Sequence, residues 1–242
     1  MSTIIIESTA ITHVGLVRAN NEDNYFVNGK FKTDGMIAAE GFVDSMYRDS
    51  YLYAVYDGMG GDNSGEVASM IAARTLAEYI STDVRDTVYD YIQKANKLIC
   101  DEVKKNRGIR SGSTLALLYI RENKATSFNI GDSRVYLCRK ENLYLLSEDH
   151  TENQQLTQHL GVFPNEVILE PYISEEIKIK KNDIFLICSD GLTDMVHDDD
   201  IIDIMVRKDL DTSGIAKELS ATAQEHGGRD NSTVIVVKIL SA

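Results

Sequence analysis

Cysteine and proline are scarce in this 242-residue chain, with three and two copies. The cysteines, Cys100, Cys138 and Cys188, lie far apart, and none belongs to a CxxC pair. That spacing argues against a disulfide framework or a structural zinc site, and it fits a reducing cytoplasm. Around Pro164 and Pro171 there is no Gly/Ser-rich tract, and the chain carries no repeat. Residues 1–242 therefore read as a single domain, long enough to bury a full core. No apolar run approaches the roughly 20 residues that span a bilayer. Met1–Thr12 has no basic residue ahead of its short apolar run, so it does not read as a signal peptide. Basic residues are outnumbered, with 25 Lys and Arg against 38 Asp and Glu, for a net charge of −13. Such a surface repels nucleic-acid phosphates and anionic membranes, so neither is an expected partner. The five histidines show no HExxH spacing.

What is present is a set of short β-prone runs. Strands are expected over Ile11–Arg18, Tyr51–Tyr56, Thr114–Ile120, Ala125–Ile130, Arg134–Arg139, Leu143–Leu146, Glu176–Ile179, Asp183–Ser189 and Thr233–Ile239. Polar joints at Arg121–Lys124, Lys140–Asn142 and Lys180–Asn182 read as hairpin turns and imply antiparallel pairing. Helical spacing appears over Gly65–Ile80 and over Val88–Lys105. Two more helices are expected to start near Asp198–Asp200 and near Asp211–Ser213, whose side chains suit an N-cap. Strands gathered into hairpins favour a layered α+β fold over a Rossmann-type sheet.

The chemistry is concentrated in acidic residues at strand ends beside glycine. Asp57 opens Asp57-Gly58-Met59-Gly60-Gly61, and Asp132 sits in Gly131-Asp132-Ser133-Arg134. Asp190 lies in Ser189-Asp190-Gly191, and Asp230 in Arg229-Asp230-Asn231. Arg18-Ala19-Asn20-Asn21-Glu22-Asp23 follows the first strand. Taken singly, an Asp before Gly is usually a turn residue. Carboxylates converging from several strand ends would repel one another unless a cation lay between them. Oxygen ligands without His or Cys select Mg²⁺ or Mn²⁺ over zinc. A phosphate-cradling reading of Gly60–Gly65 fails, because Glu66-Val67 stands where Lys-Ser/Thr is needed. Ser113 and Ser189 lack a nucleophile–base setting and read as structural.

In order along the chain come Arg-x-x-Asn-Glu-Asp, Asp-Gly-Met-Gly-Gly, Gly-Ser-Thr, Gly-Asp-Ser-Arg, Asp-His-Thr, Ser-Asp-Gly-Leu and Asp-Asn-Ser-Thr. This set resembles the metal-dependent protein phosphatases of the 2C (PPM) type, bacterial stand-alone form, from about Gly15 to Val237. The resemblance implies a central β-sandwich of two mainly antiparallel sheets flanked by α-helices, in four layers α-β-β-α. It implies hydrolysis of phosphoserine and phosphothreonine on proteins by a water activated between two Mn²⁺ or Mg²⁺ ions. Asp57 would bridge the two ions, Gly58 would lend its carbonyl to one, and Asp190 and Asp230 would hold the other. Glu22 and Asp23 would lie beside the centre. Asp132, with Asp190 and Asp194, would match a weaker third site, and Arg18 would grip the substrate phosphate. The expected partners are phosphoproteins, with the enzyme opposing a serine/threonine kinase as a monomer.

Three departures from the family pattern stand out. Met59 replaces the histidine that many eukaryotic members carry, leaving the general acid unassigned. Only ten residues separate His150 from Gly161, where relatives usually insert a helix and flap. The stretch from Asp23 to Asp57 is longer than usual, and Gly35–Asp49 reads as a surface excursion. Two other functions compete with an active protein phosphatase. One is a phosphoprotein-binding pseudophosphatase, whose signature would be lost carboxylates. The other is a two-metal phosphatase for small phosphomonoesters, or a nuclease, which the net charge argues against.

Overall fold

Strands buried on both faces need apolar residues at every position, whereas half-exposed strands alternate. Both patterns occur here. The computed structural model describes residues 4–33, 39–44, 48–60 and 64–242. The strands are β1 (Ile5–His13), β2 (Asn24–Val27), β3 (Lys30–Phe31), β4 (Ala39–Asp44), β5 (Ser50–Tyr56), β6 (Gly58–Gly60) and β7 (Ser111–Ser113). Then come β8 (Leu115–Arg121), β9 (Lys124–Ile130), β10 (Arg134–Arg139), β11 (Asn142–Leu145), β12 (Thr151–Glu152) and β13 (Gln155–Leu156). The last are β14 (Tyr172–Ile173), β15 (Ile177–Lys178), β16 (Ile184–Cys188) and β17 (Ser232–Ser241). Among the described residues five α-helices accompany them: α1 (Ser64–Leu76), α2 (Val84–Lys105), α3 (Asp190–Thr193), α4 (Asp198–Met205) and α5 (Thr212–Glu225).

One sheet runs β11-β10-β16-β17-β1-β4, and the other runs β14-β9-β8-β5-β2-β3, with β15 also on β9. Neighbouring strands pair antiparallel throughout. Tyr53, Val55, Leu118, Val135, Phe185, Ile187, Ile235 and Val237 meet between the sheets. The intervening residues of β16 and β17, Leu186, Cys188, Val234 and Val236, pack outward against Leu192, Ile201 and Leu219 of α3, α4 and α5. On the opposite outer face Leu117 and Phe128 meet Ile92 and Ile99 of α2 and Ala72 of α1. The layers are thus α-β-β-α, the expected α+β sandwich.

The main differences from expectation lie at element boundaries. The first strand is Ile5–His13 instead of Ile11–Arg18, and Val14–Arg18 lies beyond it in a turn and loop. Pairing with β17 draws the strand back, since Thr12 lies opposite Thr233 and Ile6 opposite Ile239. Helix α2 starts at Val84, not Val88, because the Asp83 side chain accepts the Arg85 backbone N–H as a cap. Lys180–Asn182 does not turn a hairpin. Strand β15 pairs with β9 in one sheet while β16 pairs with β10 and β17 in the other, so this joint crosses between sheets. Asp183 shapes the crossing by accepting the Lys180 backbone N–H. The joints at Arg121–Lys124 and Lys140–Asn142 do turn hairpins, with positive φ at Glu122, Asn123, Lys140 and Glu141. Within Gly35–Asp49, residues 39–44 form edge strand β4 against β1; the rest of that excursion lies largely outside the described residues.

Leu118 is fully buried between the sheets. Leu118→Ala is expected to lower the unfolding free energy by about 2–5 kcal/mol, measured by urea denaturation. A change under about 1 kcal/mol would mean that the two sheets are not tightly packed there.

Candidate metal centre

Strand ends fix the direction of the side chains that follow them, and four ends meet at one edge of the sandwich. Asp57 follows β5, Asp132 follows β9, Asp190 follows β16, and Asp230 precedes β17. All four line a cleft of about 550 Å³, together with Arg18, Glu22, Gly58, Met59 and Asn231.

Hydrogen bonds lock the backbone around these acids. The Asp57 N–H donates to Thr114 Oγ1, and the Thr114 N–H donates to the Asp57 carbonyl, both at 2.9 Å. Asn231 ties the loop after β1 onto the start of β17. Its Nδ2 donates to the carbonyls of Val14 (2.8 Å) and Asn20 (2.9 Å), and its Oδ1 accepts the Glu22 N–H at 2.8 Å. Two glycines are required by close backbone approach. A Cβ on Gly58 would meet the Glu22 carbonyl oxygen at 2.3 Å, and one on Gly191 would meet the Asn231 carbonyl oxygen at 1.9 Å.

The electrostatics are unfavourable for ionised acids left alone. Burial raises the Asp57 carboxyl well above the usual range, and the neighbouring charges of Asp23 and Asp190 raise it further. Burial also pushes Asp190 up to about 6, helped by the charges of Asp23, Asp194 and Asp230 and opposed by a hydrogen bond with Asp57. Asp132 rises to about 6 for the same two reasons, burial first and then the Asp190 charge. Asp23 rises to about 6 through burial, against the pull of its bonds from Thr233 Oγ1 (2.7 Å) and Ser189 Oγ (2.8 Å). Desolvation raises Glu22 as well.

This donor set fits a hard divalent cation. Oδ1 of Asp23 and Oδ1 of Asp190 are buried and take no hydrogen bond, so each is an acceptor facing no donor. All nearby side-chain acceptors are oxygens, the ligand type of Mg²⁺ and Mn²⁺. The arrangement is gathered but not closed: among the described residues no three His, Cys, Asp or Glu side chains form a complete ligand cluster. At the rim Arg18 Nη2 donates to Asp230 Oδ2 at 2.5 Å.

Of the residues singled out in the sequence, Asp57, Gly58, Asp132, Asp190, Asp230, Glu22 and Arg18 line the one cleft. Asp23 lies behind it, fully buried. Asp194 is exposed at the end of α3, its N–H donating to the Asp190 carbonyl at 2.7 Å, and it does not line the cleft. After His150 the short segment forms the β12–β13 hairpin, which brings Leu156 to the cleft. Thr114 was legible only as part of a Gly-Ser-Thr string, and Asn231 only as the neighbour of Asp230. Lys32 gave no signal at all. It is buried, and its Nζ donates to the Asn21 carbonyl at 2.5 Å, placing a cation behind the acids. Burial lowers the proton affinity of Lys32 below the usual range, and the charges of Asp23, Glu66 and Glu22 offset part of that fall.

Fold and cleft together define a carboxylate-lined cleft at the edge of a four-layer sandwich. A model of the protein phosphatase 2C family matches residues 10–159 and 153–232, and the chain belongs to that family. It is 29% identical over 258 residues to the serine/threonine protein phosphatase PstP of Mycobacterium tuberculosis, covering 98% of this chain and 46% of that one. This chain therefore spans about half the length of that relative. Against the protein phosphatase PhpP of Streptococcus pneumoniae the identity is 29%, covering 97% of this chain and 98% of that one. The crystal structure of the PstP catalytic domain in complex with two manganese ions superimposes with a TM-score of 0.78 at 27% identity. The match covers 99% of this chain and all of that one.

The raised carboxyls give a pH signature. Each binds its proton more tightly folded than unfolded, so its contribution to stability is full below about pH 4 and lost as pH rises through about 6. A cation takes the ionised form and reverses that loss. The rise in melting temperature on adding Mn²⁺ is therefore expected to be small at pH 5 and larger at pH 7.5, by differential scanning fluorimetry. An equal rise at both values would show that the ion does not bind these carboxylates.

Proposed function

We propose that this chain is a metal-dependent protein serine/threonine phosphatase, with residues 1–242 forming one catalytic domain. The observation that carries the reading is the convergence of Asp57, Asp132, Asp190 and Asp230 from four separate strand ends on one cleft with Arg18 at its mouth. Asp57, the Gly58 carbonyl, Asp190 and Asp230 would hold two Mn²⁺ or Mg²⁺ ions, with Glu22 and Asp23 beside them. Asp132 and Asp190, with Asp194 nearby, would offer a weaker third position. When bound, two such ions lower the pKa of water, orient it and neutralise charge on the phosphoryl group.

The chain's own residues supply the rest. Arg18 is exposed at the rim, and its guanidinium can present two N–H groups to phosphate oxygens, offsetting charge that builds up during in-line attack. Nearby serines are engaged elsewhere: Ser113 Oγ donates to the Thr114 carbonyl and Ser189 Oγ to Asp23. That supports water, not a side chain, as nucleophile. Met59 at the cleft wall brings no proton to the leaving oxygen.

A protein substrate agrees with an open cleft rimmed by a short hairpin, and serine/threonine kinases would supply it. Among the described residues no helix is long and apolar enough to cross a membrane. All three cysteines are free and buried, in keeping with a reducing cytoplasm. We read the working form as a monomer.

Asp57→Asn is expected to cut Mn²⁺-dependent hydrolysis of a phosphothreonine peptide by more than the roughly 10–100-fold that losing an outer-sphere metal partner costs. Near-normal turnover in a folded variant would refute the assignment. Arg18→Ala should raise KM about tenfold, as loss of charge-assisted bonds predicts; unchanged KM and kcat would remove its phosphate-gripping role. Asp132→Ala should lose turnover of a phosphoprotein while calorimetry still finds the two tighter ions.

A further inference from the structure

We propose that a basic strip beside the cleft, residues 104–110, whose last residue Arg110 borders a second cavity, seats acidic residues that flank the phosphorylated residue of a substrate. The proposal rests on the phosphatase reading above and deepens it.

A second cavity of about 340 Å³ is lined by Met59, Gly60, Arg110, Ser111, Gly112 and His159. Met59 and Gly60 also line the main cleft, so the two spaces share a wall. That wall is the β6–β7 ribbon, in which Gly58–Gly60 pairs with Ser111–Ser113. A peptide whose phosphoryl group reaches the carboxylates can therefore leave the cleft over Met59 toward Arg110.

The charge along that exit is unlike the rest of the protein. Lys104-Lys105-Asn106-Arg107-Gly108-Ile109-Arg110 holds four cations and no acid, in a chain of net charge −13. All seven residues are exposed. By contrast, among the described residues Arg18 is the one cation lining the main cleft, against Glu22, Asp57, Asp132, Asp190 and Asp230. An acidic flank would be repelled by the cleft's own carboxylates and drawn to the strip.

Two of the cations, Lys104 and Arg110, share an aromatic support. The Phe163 ring lies beneath both Arg110, with Cζ 5.0 Å from its centroid, and Lys104, with Nζ at 5.6 Å. Their current partners are acids on the surface, two half-buried and one exposed: Lys104 with Asp101 (3.3 Å), Lys105 with Glu102 (3.4 Å) and Arg110 with Glu166 (2.6 Å). The single-contact lysine pairs are weak, so an incoming carboxylate can replace them at little cost, whereas Arg110 is held by Glu166 through two bonds, at 2.8 and 2.6 Å.

The test compares phosphothreonine peptides matched in length, with three aspartates before the phosphoresidue, three after it, or neutral residues throughout. With Mn²⁺, one aspartate peptide is expected to show a KM about fivefold below the neutral one at low salt, with kcat unchanged. The advantage should shrink at high salt as screening shortens. In the triple variant Lys104→Ser, Lys105→Ser, Arg107→Ser it should vanish, while hydrolysis of p-nitrophenyl phosphate, which has no flank, stays at wild-type rate. Equal KM for all three peptides in the wild type, or an advantage that survives the triple variant, would overturn the proposal. Arg110→Gln gives a second, single-site variant with the same expected direction. Fluorescence anisotropy with a labelled, unphosphorylated aspartate-rich peptide reads the strip without turnover. Weaker binding to the triple variant supports it, and equal binding overturns it. Absence of turnover on every phosphopeptide would sink the phosphatase reading, and anisotropy would still decide the strip.

Discussion

Ionised carboxylates buried side by side repel each other, and burial removes the water that would screen them. Asp57, Asp190 and Asp23 stand in that position, each with its proton affinity raised, chiefly by desolvation. Such a cluster costs folding energy unless a proton or a cation is shared among its members. Lys32 offsets part of the repulsion from behind, and Arg18 offsets part at the rim. Neither reaches Oδ1 of Asp190 or Oδ1 of Asp23, which remain without donors. The remaining imbalance is of the kind that a hard, doubly charged ion would relieve.

The sandwich exists to impose that proximity. Antiparallel pairing places the ends of β5, β9 and β16 and the start of β17 at one edge, and buried apolar side chains on both faces of the sheets keep the strands from sliding. Asn231 then fastens the loop carrying Glu22 to the strand carrying Asp230. Missing side chains at Gly58 and Gly191 let the backbones touch. The stability of the layers therefore supports the cost of holding the acids together.

Much of this was visible in the residues themselves. Asp-Gly or Gly-Asp at the end of an apolar run is a local signature, so Asp57, Asp132 and Asp190 could be found before their convergence was known. Hairpins at Glu122-Asn123 and Lys140-Glu141 were legible because each follows from a short polar joint between strands. Partnerships between distant segments were not legible. Strand β1 is drawn back to Ile5–His13 by its pairing with β17, more than 200 residues on. The joint at Lys180–Asn182 looks like any polar turn, yet its two strands belong to different sheets. Lys32 reads as a surface lysine, and only the tertiary fold closes over it. Asp194 shares a strand-end setting with Asp190 but stands one helical turn further on, outside the cleft.

The central claim is that cations, not protons or side chains alone, complete the cluster around Asp57. Anomalous diffraction at the manganese edge from crystals grown with Mn²⁺ tests it most directly. Two peaks about 3.5–4 Å apart, one on each side of the Asp57 carboxylate and in contact with Asp190 or Asp230, are the expected result. No peak in the cleft, or peaks only on surface carboxylates, would contradict the account.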